Sequence, residues 1–186
     1  MDKLIKFIDL YWPVEYCNFN CEYCYVHQHR ENKGNRYVCS HTPEEIRKAL
    51  SRKRLGGTCL INICAGGETL LEESIVPVIY ALLEEGHYIG VVTNGTVKRT
   101  IYQLLDFPVL LRRRLFLKIS FHYGELKRRQ LLEPFFDTVN KIKEKGVSFT
   151  LELPAYDEFL KESSQIRLLS EKYTGGGYPT CQHIEG

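Results

Sequence analysis

In the stretch FLKISFHY, residues 116–123, apolar and polar side chains alternate from Leu117 to His122. In an extended chain, one face carries Leu117, Ile119 and Phe121, and the other carries Lys118, Ser120 and His122. A parallel strand covered by helices on both faces is apolar throughout, so this strand needs a polar setting on one side. Residues 148–153 repeat the alternation. An exposed sheet edge would explain either segment alone, whereas two in succession favour a sheet that curls around a wet, ligand-holding interior.

Extended and helical segments alternate along the whole chain. Branched and aromatic residues predict strands at 4–12, 58–64, 88–96, 114–123 and 147–154. Helical spacing predicts helices at 41–57, 71–86, 97–107, 133–146 and 156–173. This succession predicts an α/β fold, a partial (β/α) barrel of about five to six parallel units with right-handed crossovers. We expect a core domain at 1–173 and an irregular tail at 174–186, without a sixth strand.

The helix predicted at 41–57 has clear signals at both ends. Thr42 is the expected N-cap, Pro43 the first helical residue, and Glu45 the second half of a capping box. Gly56 is the expected stop. We therefore predict one continuous helix between them.

Composition and charge limit the class of protein. With 186 residues, 44% of them hydrophobic and 26% charged, the chain is predicted to form one folded domain. No run reaches the ~20 apolar residues of a membrane span, and we expect no membrane association. The net charge of +2 suggests no nucleic-acid partner, and basic stretches such as ELKRRQ, residues 125–130, are read as solvated faces. Seven cysteines, three of them tightly clustered, favour a reducing cytoplasm with metal or redox use.

The three clustered cysteines are Cys17, Cys21 and Cys24, within CNFNCEYC. Two C-x-x-C pairs would indicate structural zinc or a closed iron–sulfur cluster, but only three thiols are local here. A [4Fe–4S] cluster on three cysteines keeps one iron free to bind a small chelating molecule. The alternative is a zinc site completed by His27 or His29.

Four stretches, in order along the chain, resemble the radical S-adenosylmethionine (radical SAM) superfamily. They are CNFNCEYC with Tyr23 before its third cysteine, GGET at 66–69, TNG at 93–95, and Ser120 on the polar face of the fourth strand. The resemblance implies that Cys17, Cys21 and Cys24 ligate a [4Fe–4S] cluster. It implies that S-adenosylmethionine is bound by Tyr23, Gly66, Gly67, Glu68, Asn94 and Ser120. Tyr23 would lie against the adenine, and Glu68 with its neighbouring backbone would meet the methionyl amino group.

The resemblance also implies an activity. Reductive cleavage of S-adenosylmethionine would yield a 5′-deoxyadenosyl radical that abstracts hydrogen from a substrate. A low-potential donor of the flavodoxin or ferredoxin type would supply the electron. The loop resembles members that modify peptides or proteins. The alternatives are a compact small-molecule or glycyl-radical-activating type, a non-catalytic zinc module, and a truncated, inactive homologue.

Other polar residues have no assigned role at this level. Cys39 has no readable partner, Cys59 and Cys64 fall on opposite faces of one strand, and Cys181 stands alone in the tail. Free cysteines are most often small buried apolar residues. Lys118, His122 and Glu152 are either substrate contacts in the interior or satisfied structural groups.

Overall fold

The computed structural model describes residues 3–24, 26, 39–155, 157–174 and 180–183, with only the backbone described at 155, 157–160, 174 and 180–183. One sheet holds six strands: β1 (Lys6–Tyr11), β2 (Cys59–Cys64), β3 (Tyr88–Thr93), β4 (Leu115–Ser120), β5 (Ser148–Ala155) and β6 (Thr180–His183). Their order in the sheet equals their order in the chain, and every neighbouring pair is parallel. Such an order without reversal places right-handed crossover helices on one face, as in a barrel opened along one side.

Eight helices connect or follow the strands within the described residues. They are α1 (Pro43–Ala49), α2 (Arg52–Leu55), α3 (Ile75–Glu84), α4 (Lys98–Leu105), α5 (Val109–Arg112), α6 (Tyr123–Arg128), α7 (Leu132–Glu144) and α8 (Asp157–Thr174). A 3₁₀ turn covers Thr69–Leu71. The fold is therefore the α/β arrangement that the sequence predicts.

The helices bury an aliphatic and aromatic core against one face of the sheet. Alternate strand residues such as Ile61, Ile63 and Leu117 are fully buried, while their neighbours on the opposite face are only partly buried. Helix α7 contributes Phe135 and Phe136 to the same core. The alternation in 116–123 thus corresponds to an outer, helix-covered face and an inner, accessible face.

The expectation of a tail without a sixth strand is wrong. Backbone atoms of Thr180–His183 pair in parallel with Glu152–Ala155 of β5. The segment is four residues long and carries no apolar period, so its strand character comes from the hydrogen-bonding partner that β5 provides. The division into a core at 1–173 and a tail stays a prediction.

The prediction of one continuous helix at 41–57 is also wrong. The Thr42–Glu45 capping box forms, and Gly56 ends the segment with a φ of 89°. Between these two ends the helix is interrupted, because Ser51 is extended and the Arg52 N–H donates to Glu85 Oε1 at 2.9 Å. A carboxylate at the end of α3 therefore caps a second short helix.

None of the helices in the described ranges combines the length and the hydropathy that a bilayer crossing requires.

Candidate cofactor site

A cavity of about 120 Å³ lies where the loops leave the carboxyl ends of β1, β2, β3 and β4. It is lined by Cys17, Phe19, Cys21, Cys24, Val26, Gly66, Gly67, Glu68, Val92, Thr93, Asn94, Ser120 and His122. Eight of the nine residues predicted to hold the cluster or the cofactor are in this set, and only Tyr23 is outside it. Segments up to about a hundred positions apart in sequence therefore meet at one place, where open α/β sheets bind ligands.

The three cysteines of the loop are free thiols that face this cavity. Burial raises the pKa of Cys17 to about 11 and that of Cys21 to about 12. The backbone N–H of Phe19 donates to Cys17 Sγ at 3.3 Å. Within the described part of the chain, no three His, Cys, Asp or Glu side chains form a ready-made metal-binding group.

The donor set nevertheless fits an iron–sulfur cluster. Three thiols converge on one cavity, none is consumed by a disulfide, and an N–H group already donates to a sulfur as in iron–sulfur proteins. His27 and His29, the fourth ligands of the zinc alternative, lie outside the described residues. Cys17, Cys21 and Cys24 would hold such a cluster where the loop faces the cavity.

Gly67, the second of the two glycines after β2, is required by the chain itself. A Cβ added to Gly67 would lie 1.9 Å from the carbonyl oxygen of Tyr16, and one added to Gly66 would lie 2.6 Å from the Tyr11 hydroxyl. The turn after β2 and the segment after β1 cross here, and two backbone hydrogen bonds join them. Gly67 N–H donates to Val14 O at 2.8 Å, and Glu68 N–H donates to Tyr16 O at 3.0 Å. Sequence reasoning expected the glycines to admit a ligand, whereas Gly67 also admits the backbone that follows β1 into the cysteine loop.

Glu68 is buried at the base of the cavity, with 3% of its surface exposed. Its Oε1 accepts from Leu70 N at 3.0 Å and from the Thr93 hydroxyl at 2.7 Å, and its Oε2 accepts from Asn94 N at 2.6 Å. Burial raises the pKa of Glu68, and these three donors oppose that effect. A carboxylate accepts hydrogen bonds at about four lone-pair positions, so one position remains for the predicted contact with an amino group.

Asn94 links the cysteine loop to the end of β3. Its side-chain Nδ2 donates to Asn18 Oδ1 at 2.8 Å and approaches Cys17 Sγ at 3.9 Å. Thr96 closes the network, donating to Asn94 Oδ1 at 2.6 Å and accepting from Asn18 Nδ2 at 2.8 Å. Sequence reasoning missed Asn18 and Thr96, although both are adjacent to predicted site residues.

Helix α6 supports the outer side of the cysteine loop. The Glu125 carboxylate accepts from Asn20 N at 3.1 Å and from the guanidinium of Arg129 at 2.6 Å. Arg129 also donates to Asn18 O at 2.8 Å and lies over the Phe19 ring. The stretch 125–130, read from sequence as a solvated basic face, therefore includes a residue that contacts the loop.

Tyr23 reaches the cavity through His122. The Tyr23 hydroxyl lies 2.5 Å from His122 Nδ1, and the two rings stack at 5.8 Å. Burial lowers the pKa of His122 to about 4, so the ring is neutral, and its Nδ1 is hydrogen-bonded to the phenol. Tyr23 itself lines an adjoining open cavity of about 370 Å³, together with Cys21, Glu125 and Arg128.

The remaining candidate residues do not line this cavity. Lys118 and Glu152 form an ion pair at 3.4 Å on the inner face; Glu152 is in register with Ser120, and Lys118 lies deeper along β4. Cys64 is partly buried at the end of β2, and Cys59 is fully buried on the outer face. Cys39 donates weakly to the His41 carbonyl at 3.6 Å. The Cys181 side chain lies outside the described residues.

The Radical SAM superfamily model matches residues 13–162, which is most of the chain. The chain therefore belongs to the radical SAM superfamily of enzymes. Two solved structures of SuiB from Streptococcus suis, one of them bound to S-adenosylmethionine, are similar in fold. Each has a TM-score of 0.50, with sequence identities of 14% and 13%, and each alignment covers 96% of this chain.

The alignments cover 48% and 49% of the SuiB chains, so this chain spans about half their length. At this identity the likeness is one of fold. The comparison with curated proteins finds no match.

Proposed function

We propose that this chain binds a [4Fe–4S] cluster and S-adenosylmethionine and catalyses radical chemistry on a substrate. When bound and reduced, the cluster supplies the electron that cleaves S-adenosylmethionine to methionine and a 5′-deoxyadenosyl radical. The observation that carries this proposal is the convergence of three free thiols and the GGE, TN and Ser120 residues around one cavity.

The chain's own residues have distinct roles in this proposal. Cys17, Cys21 and Cys24 hold the cluster. The cavity that they line also offers a buried carboxylate, Glu68, for a cationic amino group, and the polar side chains of Asn94 and Ser120 for hydroxyl or carboxylate groups of the cofactor. The apolar side chains at the cavity wall, Phe19, Val26 and Val92, exclude water from a radical reaction.

The substrate proposed is a peptide or protein. The loop CNFNCEYCY supports this, since it resembles loops of peptide-modifying members. The inner face below the cavity adds a charged pair, Lys118 and Glu152, suited to polar groups of such a substrate. We propose a flavodoxin- or ferredoxin-type electron donor and, from the free thiols, a cytoplasmic location.

Anaerobic reconstitution tests the proposal. The protein is loaded with iron and sulfide, reduced with dithionite and given S-adenosylmethionine, and 5′-deoxyadenosine is measured by chromatography. We expect a brown protein that binds about four irons and releases the nucleoside. Colourless protein with stoichiometric zinc would support a zinc module instead, and a full cluster without cleavage would indicate an inactive homologue.

Cysteine variants make the test specific. Cys21→Ala should lose the cluster and all nucleoside formation, because two thiolates cannot retain a cubane cluster in this loop. Cys59→Ala is the matched control, since Cys59 is equally buried but lies on the outer face of β2. It should keep the full iron content, and a comparable loss of iron in both variants would contradict the assignment of the ligands.

A further inference from the structure

We propose that His122 is a positioning residue, which holds Tyr23 as the wall that closes one end of the cofactor cavity. The inference rests on the proposed function and concerns how this site retains its cofactor. It arises from a hydrogen bond between two residues that lie on different elements, the cysteine loop and the end of β4.

The backbone fixes His122 first. After β4 ends at Ser120, the Tyr123 N–H donates to Phe121 O at 2.8 Å across His122, whose φ of −75° and ψ of 68° define an inverse γ-turn. The preceding N–H, that of His122, donates to Ser120 O at 3.1 Å. Two consecutive tight turns therefore leave the imidazole at a fixed place beside Ser120.

The side-chain contacts then fix Tyr23 to this imidazole. The phenol and Nδ1 are hydrogen-bonded across 2.5 Å, and the rings stack with an interplanar angle of 28°. Phe19, from the same loop as Tyr23, meets the imidazole edge-on at 5.9 Å. Two aromatic rings of the loop therefore pack against His122, and the hydrogen bond to Tyr23 fixes the orientation of the two side chains.

The position of the pair shows what it does. His122 lines the small cavity, Tyr23 lines the adjoining open cavity, and Cys21 lines both. The bonded pair consequently lies between the two cavities. Without the bond, Tyr23 loses its hydrogen bond to the wall of the small cavity, and this end of the cofactor cavity opens toward solvent.

The test compares three variants of this pair. His122→Leu removes the imidazole nitrogen, Tyr23→Phe keeps the aromatic ring but removes the hydroxyl, and His122→Asn offers an amide group near the position of Nδ1. The affinities for S-adenosylmethionine and S-adenosylhomocysteine are measured by anaerobic calorimetry on cluster-loaded protein. This readout records binding and does not depend on turnover.

We expect His122→Leu and Tyr23→Phe each to weaken binding about 10-fold, the effect of one lost hydrogen bond. The double variant should bind no more weakly than Tyr23→Phe alone, because Tyr23→Phe already removes the bond to His122. His122→Asn should bind within about 3-fold of wild type. Tyr123→Phe, which removes a hydroxyl bonded to Glu162 at 2.9 Å instead, is the matched control and should leave the affinity unchanged.

Three results would overturn the inference: unchanged affinity in His122→Leu, equal losses in His122→Leu and His122→Asn, or additive losses in the double variant. Chemical unfolding of each variant separates a destabilised fold from a local effect, and Tyr23→Phe retains the ring packing if His122→Leu does not fold. Wild-type protein with a full cluster that binds neither ligand would overturn the proposed function as well, which distinguishes the two failures.

Discussion

The two faces of the sheet are built from opposite kinds of side chain. On the outer face, Ile61, Val91 and Leu117 are fully buried under the helices. On the inner face, the same strands carry Asn62, Lys118 and other partly exposed residues that bond to neighbours across the sheet. Alternation within single strands thus separates hydrophobic stabilisation from the residues available for chemistry.

This separation predicts that a substitution acts on stability or on ligand binding according to the face it changes. The carboxyl ends of the strands are the exception, because there the loops must both pack tightly and leave room for a cofactor. The following experiments test the separation, starting where we expect the largest effect.

Gly67→Ala should abolish measurable binding of S-adenosylmethionine. The new Cβ would lie 1.9 Å from the Tyr16 carbonyl oxygen, so the loop crossing must open and its two backbone hydrogen bonds break. The control is Gly146→Ala, where φ is +69° but no atom lies within 4 Å of the added Cβ. It should cost only about 1 kcal/mol in the free energy of unfolding, from the left-handed backbone. Calorimetric binding close to wild type in Gly67→Ala would show that the crossing is not part of the site.

Phe121→Ala should lower the free energy of unfolding by about 3–5 kcal/mol, since it empties a fully buried site among Phe135 and Phe136. Its neighbour on the inner face provides the comparison. Ser120→Ala should change stability by less than about 1 kcal/mol but weaken cofactor binding. Urea unfolding measures the first effect and calorimetry the second, and equal stability losses at the two positions would break the distinction between the faces.

His87 is a buried polar residue on the otherwise apolar, helix-covered side of the sheet, and it should make the stability depend on pH. Its Nδ1 accepts from Cys59 N at 3.1 Å and its Nε2 donates to the Leu50 carbonyl at 2.7 Å, so only the neutral ring satisfies both. His87→Leu leaves both groups unpaired and should cost about 1–3 kcal/mol at neutral pH.

The sign of the pH dependence follows from the pKa of His87, which burial lowers. The stabilisation is complete above the unfolded-state pKa of about 6.5 and is lost as the pH falls below it, because the unfolded chain takes up the proton more readily. The stability difference between wild type and His87→Leu should therefore shrink from pH 7 to pH 5 in urea titrations. A constant or growing difference would contradict a neutral, buried His87.

Lys118→Met should have the smallest effect, at most about 1 kcal/mol on stability, because the Lys118–Glu152 pair is partly exposed on the inner face. Unfolding at low and high salt would test this value, since the contribution of an accessible pair declines with screening. A loss above about 3 kcal/mol would mean that the inner face is a structural core.

The comparison also shows how far the sequence alone leads. Periodicity located β1 to β5 and the outer face, because burial under helices imposes a repeat that survives in the residue pattern. It missed β6, whose four residues pair with β5 without any repeat of their own. It also missed the break at Ser51, which depends on Glu85, more than thirty positions away.

The candidate site shows the same division between local and distant information. The spacing of Cys17, Cys21 and Cys24 and the GGE residues could be recognised, since each is a short motif. The bond between Tyr23 and His122 and the network around Asn94 join separate motifs, and no local pattern encodes which of them meet. That Gly67 faces the Tyr16 backbone could likewise only be learned from the structure.

The buried carboxylate of Glu68 accepts donors from the turn that follows its own motif and from the end of β3, while its backbone N–H reaches the chain entering the cysteine loop. The connections that follow β1, β2 and β3 are therefore all hydrogen-bonded to Glu68, and we expect them to move together. Substitutions that change the substrate should therefore disturb the fold least within the strands, at inner-face positions such as Asn62 and Lys118. Swapping the loops around the cofactor one at a time should fail, and libraries aimed at altered selectivity belong on the inner wall.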